Sequence, residues 1–554
     1  MAVDEATVSS LSSGHCDLEF GDPDVWSDDD FARSGMEVRE VPFLTVGGGL
    51  GSFALVDVLR ITGVPASQIK ILSTDREPQS SFERLCESCQ LGRDGVLRSD
   101  SSSRIDSIWG FPGYAFSDAR MRRTLKPLWR VATEPILSEY FNPTGGQVFD
   151  GVQKEARRIG WDSMLSLGKV TAIRRRDQGG FFVLQQMGGF DDTATANDTA
   201  TANDTATANN TATANDTATA NNTATANNTA TAGTIVWRTA YVHVCLGYPA
   251  LNISPELQEF REQDSSTHRA VNAYESHEDI YTILATNGGR VLVRGSGNTA
   301  VQIIHRLMME RERSGANIDI LHLIRDFIPE PSAFPSIGPA RRRAEDGYAV
   351  QQFVFPRAAG GGRLARKIST MEQAERLALM QALGVATIPR RREWQRQRHL
   401  AQMQGWYSPL PAQVQAISLD SSGQIRVDWT SGSGDQTSDL VDFVIDATGV
   451  RCSVDADPLL ADMVASGIGR TNGLGRLAVD GSFGVATAQE HAGNLFASGA
   501  ITFGGDVIPV SVFWGMQYAA LKIADELARQ GFASKLSTTR SIAGWIKRVR
   551  GATP

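Results

Sequence analysis

Two glycine-rich segments have the residue types and spacing that point most directly to chemistry. The first is GGGLGS at residues 47–52, which follows the short apolar run VPFLTV and precedes an apolar segment at helical spacing. A strand, a glycine turn and a helix in this order present free amide groups to an anion. Gly47 then forms the tight turn, Gly49 allows a close approach to a pyrophosphate, and Gly51 and Ser52 open the helix.

The run IKIL at residues 69–72 supplies the next strand, so the first segment lies in a βαβ unit of about thirty residues. In dinucleotide-binding units of this kind, an acid at the end of the second strand binds the ribose. Ser73 stands at that place here, and Asp75 is the nearest acid and therefore the predicted ribose ligand. Ser52 likewise replaces the usual third glycine.

The second glycine segment repeats the pattern within VLVRGSGNTAVQIIHRLMM at residues 291–309. Its strand ends before GSGNTA, which supplies five predicted cofactor-binding residues: Gly295, Gly297, Asn298, Thr299 and Ala300. The following strand, IDILHLIR, ends in Arg325, whose guanidinium suits a 2′-phosphate that an acid would repel. NADPH is therefore the favoured coenzyme, and the neighbouring Asp326 keeps NADH possible.

A strand pattern follows each glycine unit. KVTAIRRR, GGFFVLQQ and TIVWRTAYVHVCLGYP predict a β-meander and a closing strand, and VQAISLD, GQIRVDWT and LVDFVIDATG repeat that pattern. The second series ends at Asp446, with Thr448 and Gly449 as further predicted cofactor-binding residues. The fold class is therefore α/β, with two Rossmann-like dinucleotide-binding domains that each carry a β-meander.

Composition limits the remaining possibilities. A chain of 554 residues is too long for one hydrophobic core, and 41% hydrophobic with 21% charged residues is typical of globular proteins. The net charge of −8 does not favour nucleic acid as a partner. Five cysteines and an acidic N-terminus indicate a reducing, cytoplasmic location without a secretion signal, and the apolar segment at residues 492–521 is predicted to be core rather than a membrane span.

Three zones depart from this average composition. Residues 1 to about 38 are acidic with one basic residue, Arg33, and predict a flexible tail. Residues 191–232 are seven tandem hexads of Ala, Thr, Asn and Asp that cannot bury a core, so they predict a disordered insert at a hairpin tip. Residues 338–405 are Arg-rich with a helical pattern and predict solvated helices.

The glycine segments, the DATG strand end and GNLFASGA near the C-terminus resemble the flavoproteins with two dinucleotide-binding domains. This group holds flavin-containing and N-hydroxylating monooxygenases and pyridine nucleotide-disulfide oxidoreductases. The resemblance covers about residues 40–330 and 410–530. It implies FAD on the first glycine turn, NAD(P)H on the second, and a return of the chain to the FAD sheet at Gly499.

The resemblance also implies details of the FAD site. Ala500 stands where the family usually has an acid for the ribityl chain, and Asp506 is the predicted substitute. A helix beginning near Pro509 or Ser511 would direct its positive end at the flavin. The implied FAD domain is discontinuous. It spans residues 39–285 and 441–535, with the NAD(P) domain at 286–440 and a C-terminal tail at 536–554.

The kind of flavin chemistry stays open between three alternatives. The favoured one is an FAD-dependent oxidoreductase that takes hydride from NADPH and resembles monooxygenases, with a small-molecule substrate. The linker THRAVNAY, with His268 and Tyr274, is similar to a histidine-containing linker in that group. Candidate substrate contacts come from an aromatic and charged segment that approaches the flavin in the family, namely Arg104, Asp106, Trp109 and Tyr114.

The second alternative is a disulfide reductase that uses the CxxC pair Cys86 and Cys89, and the third is a non-catalytic flavin-binding sensor or interaction protein. For the CxxC pair, a structural role as two small apolar thiols is favoured over a redox role. Catalytic residues are not assigned by the sequence. The cysteines and histidines show no metal-ligand spacing, so no metal site is predicted.

Overall fold

The structure, a computed structural model, describes residues 24–95, 97, 119–129, 132, 143–188, 233–263, 268–325, 370–376, 378, 392–487, 494–505, 507, 510–535, 540, 543–544, 546–547, 550 and 552–554. Side chains at 298, 392–395 and 514 are not described. The hexad insert, the four candidate substrate residues Arg104, Asp106, Trp109 and Tyr114, and the predicted acids Asp326 and Asp506 lie outside the described residues.

The described chain alternates strands and helices as an α/β protein does. The strands are β1 (Val25–Trp26), β2 (Glu37–Glu40), β3 (Phe43–Val46), β4 (Ile69–Ser73), β5 (Leu165–Leu167), β6 (Lys169–Arg176), β7 (Phe181–Gln186), β8 (Thr234–Thr239), β9 (Tyr241–Val244), β10 (Ala250–Leu251), β11 (Ala270–Asn272), β12 (Gly289–Arg294), β13 (Ile318–Ile324), β14 (Tyr407–Leu419), β15 (Ile425–Ser431), β16 (Gln436–Val441), β17 (Phe443–Asp446), β18 (Val450–Arg451) and β19 (Leu495–Ala497).

The helices are α1 (Asp28–Ser34), α2 (Leu50–Ile61), α3 (Ser80–Ser88), α4 (Gly145–Ile159), α5 (Trp161–Met164), α6 (Pro255–Gln263), α7 (Glu278–Asn287), α8 (Asn298–Ser314), α9 (Arg392–Met403), α10 (Pro458–Ala465) and α11 (Phe513–Arg529). Short 3-10 helices lie at Ala66–Gln68, Val454–Ala456 and Ala500–Thr502.

The first unit is built on a five-stranded parallel sheet with the order β19-β9-β3-β4-β5. Strand β3 is buried along its whole length, because both faces of the sheet are covered. Helices α2, α4 and α11 pack on one face, while the meander and α10 pack on the other. The carboxyl ends of β3, β4, β9 and β19 therefore share one edge of the sheet.

The meander of the first unit has the predicted strands β6, β7 and β8 in antiparallel order. Gln186 pairs with Thr234, and the amide of Met187 donates to the carbonyl of Gly233 at 2.9 Å. The hexad insert therefore joins the two ends of one hairpin, as the sequence predicts.

The prediction of a flexible tail to residue 38 is wrong for residues 24–38. Strands β1 and β2 pair with the two edges of the meander, and α1 between them starts with a capping box formed by Ser27 and Asp30. Phe31 is buried against Phe182, with ring centroids 4.6 Å apart. Asp28 pairs with two meander arginines, so tertiary contacts neutralise one of the charges that suggested disorder.

The second unit has a seven-stranded sheet with the order β11-β17-β12-β13-β14-β15-β16. Its first five strands are parallel, and β14, β15 and β16 form an antiparallel meander. Strands β14 and β15 match the predicted VQAISLD and GQIRVDWT strands, and the predicted LVDFVIDATG strand becomes the end of β16 and β17. Helices α7 and α8 pack on one face. The Arg-rich zone contributes α9, whose contact with β14 adds to the same unit.

The chain crosses between the units through a two-stranded antiparallel ribbon in which Ala250 pairs with Arg451. The predicted boundaries at 285/286 and 440/441 are therefore wrong, since β11, α7 and β17 belong to the second unit. Short buried parallel strands such as AVN and FVID do not alternate apolar with polar residues, so their sequence does not indicate which of the two sheets they join.

Among the described residues, no helix is long and apolar enough to cross a membrane, and no group of His, Cys, Asp or Glu side chains is arranged to hold a metal ion. The apolar segment at residues 492–521 contributes β19, a 3-10 turn and the start of α11.

Candidate functional site

The first glycine turn lies where three strands of the first sheet end. Gly47 has a φ of +90°, and a Cβ added to it would lie 2.2 Å from the carbonyl oxygen of Cys245. Its amide donates to the carbonyl of Leu72 at 2.9 Å. A larger residue would separate β3 from β9 and strain the backbone, so this position requires glycine.

The N-terminus of α2 lacks a side-chain cap from its N-cap residue. Gly49 is the N-cap residue and has extended backbone angles, and no side chain caps the first amides of the helix. Among the described residues, a Cβ at Gly49 would meet no atom within 4 Å, and the first turn of the helix contains no acidic residue. Uncapped amides at the positive end of a helix, with free space before them, suit a bound phosphate group.

Ser52, which replaces the third glycine, belongs to a buried polar chain. The Thr45 hydroxyl donates to the Ser52 oxygen at 2.9 Å, and Nδ1 of His243 lies 2.8 Å from the same Thr45 oxygen. Since Thr45 donates to Ser52, His243 donates through Nδ1 and accepts from Ser498 at Nε2, 2.8 Å away. Burial lowers the pKa of His243 to about 3, so the ring is neutral. This chain fixes α2 to the ends of β9 and β19.

The end of β4 differs from the predicted ribose site. The Ser73 oxygen accepts the amide of Asp75 at 3.0 Å, and Ser73 lies directly beside Gly48. Both carboxylate oxygens of Asp75 accept from the Arg84 guanidinium, each at 2.9 Å. Asp75 lies just beyond the strand end as predicted, with its charge balanced by Arg84 from α3.

The returning C-terminal segment completes this edge of the sheet. Gly499 follows β19 with a φ of +81°, and a Cβ there would lie 3.1 Å from Sγ of Cys245. Helix α11 begins at Phe513, close to the predicted start near Ser511, and its N-cap residue Val512 forms no side-chain cap. Sδ of Met516 lies 3.7 Å from the Cβ position of Gly51, so the first turns of α2 and α11 adjoin. Two positive helix ends therefore meet at one place.

The second glycine turn repeats the geometry of the first. Gly295 has a φ of +131°, and a Cβ there would lie 2.5 Å from the carbonyl oxygen of Ala447 at the end of β17. Its amide donates to the carbonyl of Leu323 at 3.0 Å. Gly297 is the N-cap of α8, again without a side-chain cap and without an acid in the first turn. Ala300 is buried, so the helix can pack closely on the sheet.

His322 is a site residue that the sequence analysis missed. It lies in β13, with Nε2 2.6 Å from the Gly295 carbonyl and Nδ1 2.9 Å from the Tyr407 hydroxyl. The carbonyl accepts, so Nε2 carries the proton and Tyr407 donates to Nδ1. Burial lowers the pKa of His322 to about 4. An alternating apolar strand with one histidine was the available signal, but it does not distinguish a core residue from a support for the turn.

Thr448 and Gly449 lie at the crossing ribbon. The Thr448 amide donates to Asp446 at 3.1 Å, and Asn252 donates its side-chain amide to the Thr448 hydroxyl at 3.3 Å and its backbone amide to the Gly449 carbonyl at 3.2 Å. Gly449 has a φ of +109°. Arg325 follows β13 directly and is exposed at the carboxyl edge of the second sheet.

The CxxC cysteines occupy different surroundings. Cys86 lies inside α3, buried in the core of the first unit, and burial raises its thiol pKa. Cys89 follows the end of α3, and its Sγ lies 3.4 Å from Oγ1 of Thr299 in the second glycine segment. Burial raises the pKa of Cys89 to about 11. Tyr274 also contacts Thr299, whereas His268 is exposed.

Two sheets with parallel cores, each with a glycine turn at its carboxyl edge, are joined by a double crossing and form two Rossmann-like domains. The predicted fold class is therefore confirmed. No protein-family model matches the chain, and no curated protein matches it.

Solved structures of similar fold bear this out. DfoA, a cadaverine monooxygenase of the desferrioxamine pathway from Erwinia amylovora with bound FAD, has a TM-score of 0.59 at 12% identity over 90% of this chain and 96% of that one. The ornithine hydroxylase PvdA from Pseudomonas aeruginosa has a TM-score of 0.55 at 13% identity, over 89% of this chain and 99% of that one. The ornithine N-hydroxylase KtzI from Kutzneria sp. 744, with reduced FAD, NADP⁺ and L-ornithine, has a TM-score of 0.54 at 14% identity, over 89% of this chain and 100% of that one.

Proposed function

We propose that the protein is an FAD-dependent oxidoreductase that takes hydride from NADPH and acts on a small-molecule substrate in the manner of a monooxygenase. The observation that carries this proposal is the pair of uncapped helix N-termini, α2 and α8, each behind a glycine turn at the carboxyl edge of its own sheet. Two such anion sites in one chain suit two dinucleotides.

The residues of the first unit fit FAD. The α2 amides beyond Gly49 would bind the pyrophosphate, and the packed glycines Gly47 and Gly51 keep side chains out of its way. The adjoining first turn of α11 adds a second positive helix end. The buried series of hydrogen bonds from Ser498 to Ser52 holds these elements in a fixed arrangement. It places no charge beneath them, because His243 is neutral.

The residues of the second unit fit NADPH. The amides at the start of α8 would bind its pyrophosphate, and Arg325 at the end of β13 would hold the 2′-phosphate. When bound, the flavin supplies the chemistry, since it accepts hydride from the nicotinamide and passes the electrons on. The chain itself binds, orients and separates the two cofactors.

Two observations favour the monooxygenase-like class. Three neighbours with TM-scores above 0.5 are N-hydroxylating enzymes whose names give small amines as substrates. In addition, burial raises the thiol pKa of both Cys86 and Cys89, whereas a dithiol that exchanges with disulfides needs a thiolate. Small polar or amine compounds are therefore the first substrates to test.

The test of the proposal is a spectroscopic titration of the purified protein. We expect flavin absorbance in the visible range, loss of that absorbance on addition of NADPH without oxygen, and its return when oxygen is admitted. A colourless protein that does not take up FAD would contradict the proposal. Flavin that NADPH bleaches once, without steady-state turnover on any acceptor, would favour the sensor alternative.

The disulfide-reductase alternative has its own test. In a Cys86→Ser/Cys89→Ser double variant, we expect NADPH-dependent flavin reduction and steady-state turnover to persist, because neither thiol takes part in electron transfer. Loss of turnover with flavin reduction intact would instead place the protein among the disulfide reductases. The four cysteines among the described residues are free thiols, which supports the proposal of a cytoplasmic location.

A further inference from the structure

Three side chains meet where α3 of the first unit approaches the glycine turn of the second. Sγ of Cys89 lies 3.4 Å from Oγ1 of Thr299, and the hydroxyl of Tyr274 lies 2.9 Å from the same oxygen. Cys89 belongs to the first unit, whereas Tyr274 and Thr299 belong to the second. We call these three residues the interdomain cluster.

The interdomain cluster has the chemistry of a neutral hydrogen-bonded contact. A thiol, a hydroxyl and a phenol each donate and accept, so all three groups can be satisfied together. Burial raises the pKa of Cys89 to about 11 and raises that of Tyr274 as well, so both keep their protons at neutral pH. The contact therefore carries no charge toward an approaching phosphate.

The place of Thr299 gives the contact its importance. Thr299 lies in the first turn of α8, two residues after the N-cap Gly297, and so beside the amides that suit a pyrophosphate. A shift of Thr299 moves those amides with it. Cys89, immediately after the last residue of α3, thus contacts the anion site of the other unit.

We propose that Cys89 is a positioning residue that fixes the second glycine turn against α3. The contact would hold a coenzyme bound by the second unit at the correct distance and orientation from a flavin bound by the first. The inference rests on the proposed function and deepens it. Hydride transfer requires reacting atoms about 3 to 3.5 Å apart, so a small rotation of one unit against the other would slow it. The inference also gives the second thiol of the CxxC pair a role that needs no redox chemistry.

Hydrogen exchange in the protein without added coenzyme tests the contact itself. Cys89→Ala should increase amide exchange in residues 80–90 and in the first two turns of α8, because each side of the interface loses its partner. Cys89→Ser, which keeps a donor and acceptor, should restore most of the protection. Ser88→Ala is the matched control, since its hydroxyl donates to the Arg84 carbonyl within α3 and should leave α8 unchanged.

Rapid-reaction kinetics test the positioning role. In Cys89→Ala, the limiting rate of flavin reduction by NADPH should fall by roughly two- to tenfold, the equivalent of losing one hydrogen bond. Flavin content and the rate of reduction by dithionite should stay within twofold, because the Cys89 side chain contacts the second glycine segment. Cys89→Ser should recover the rate.

The outcomes separate the two proposals. A wild type that NADPH reduces, together with a Cys89→Ala variant of unchanged limiting rate and unchanged exchange, overturns the positioning role and leaves the proposed function standing. A wild type that binds flavin but is not reduced by NADPH overturns both. A Cys89→Ala rate that falls while Cys89→Ser fails to recover it also overturns the hydrogen-bonding role.

Discussion

Nε2 of His322 donates to the carbonyl oxygen of Gly295 at 2.6 Å, which ties the middle of β13 to the first residue of the second glycine turn. The Tyr407 hydroxyl, 2.9 Å from Nδ1, fixes the ring in the tautomer that this bond needs. In the first unit, His243 has a comparable place in the chain that leads to Ser52. Each glycine turn is thus supported from within its own unit by one neutral, buried histidine.

The two histidines predict a specific loss of stability in acid. Burial lowers the pKa of His322 to about 4 and that of His243 to about 3, whereas an unfolded histidine titrates near 6.5. Between these values the unfolded state binds more protons than the folded state. The two histidines therefore make their full contribution to the unfolding free energy above about pH 6.5, and this contribution falls as the pH decreases. The slope should approach roughly 1.4 kcal/mol per pH unit for each histidine.

Urea unfolding between pH 4.5 and 7.5 measures this slope. A His322→Gln variant should show a shallower pH dependence than the wild type even if its stability at pH 7 is lower. Equal slopes in His322→Gln and the wild type would show that His322 takes up a proton to the same extent in the folded and unfolded states, which would contradict the prediction.

Gly49→Asp should give a folded but colourless protein. The position has extended backbone angles, an added Cβ meets no atom of the described residues within 4 Å, and Asp is a favoured N-cap residue, so the helix itself is not disturbed. The new carboxylate would occupy the amides and repel the FAD pyrophosphate. Flavin content per chain is the measurement, and Gly49→Ala is the neutral control.

Gly297→Asp provides the reciprocal control for the second unit. It should keep the flavin and lose reduction by NADPH, because the same substitution now blocks the start of α8. A yellow Gly49→Asp protein with full flavin content would rule out the placement of FAD on the first turn.

Arg325→Ala should weaken the binding of NADPH and leave the binding of NADH unchanged. A guanidinium at the end of β13 that holds a 2′-phosphate contributes about 1.5 to 3 kcal/mol, or roughly ten- to a hundredfold in affinity. The rate of flavin reduction against the concentration of each coenzyme gives both constants. Arg313→Ala, on the exposed end of α8, controls for the loss of one positive charge. A wild-type protein whose flavin is reduced equally well by NADPH and NADH would contradict the assignment of NADPH as the coenzyme.

Deletion of residues 191–232 should change the unfolding free energy by no more than about 1 kcal/mol, since loop-closure entropy depends weakly on length. The β7–β8 hairpin that flanks the insert is fully paired up to Gln186 and Thr234, so the deletion can be closed through Gly233. Thermal unfolding and flavin content are the measurements, and removal of the first three hexads is the graded control. A collapse of either quantity would show that the hexads pack against the protein.

The sequence by itself determined the elements that local patterns specify. Each glycine turn lies between a buried strand and an amphipathic helix, so GGGLGS and GSGNTA were readable from residue order alone. The meander strands followed from runs of β-branched and aromatic residues, and Lys169–Arg176 matches the predicted KVTAIRRR strand. The position of the hexad insert followed from the strands on either side of it.

Only the tertiary structure decided which sheet each short strand joins and what each polar side chain contacts. Residues 24–38 look disordered by composition, yet Phe31 and Asp28 find partners on strands more than 140 residues away in the chain. The hydrogen bonds of His243 and His322 and the contact of Cys89 with Thr299 also join distant segments. Local periodicity reports which face of an element is apolar, but it carries no information about the residue on the opposing element, and that pairing is what sets burial, pKa and position.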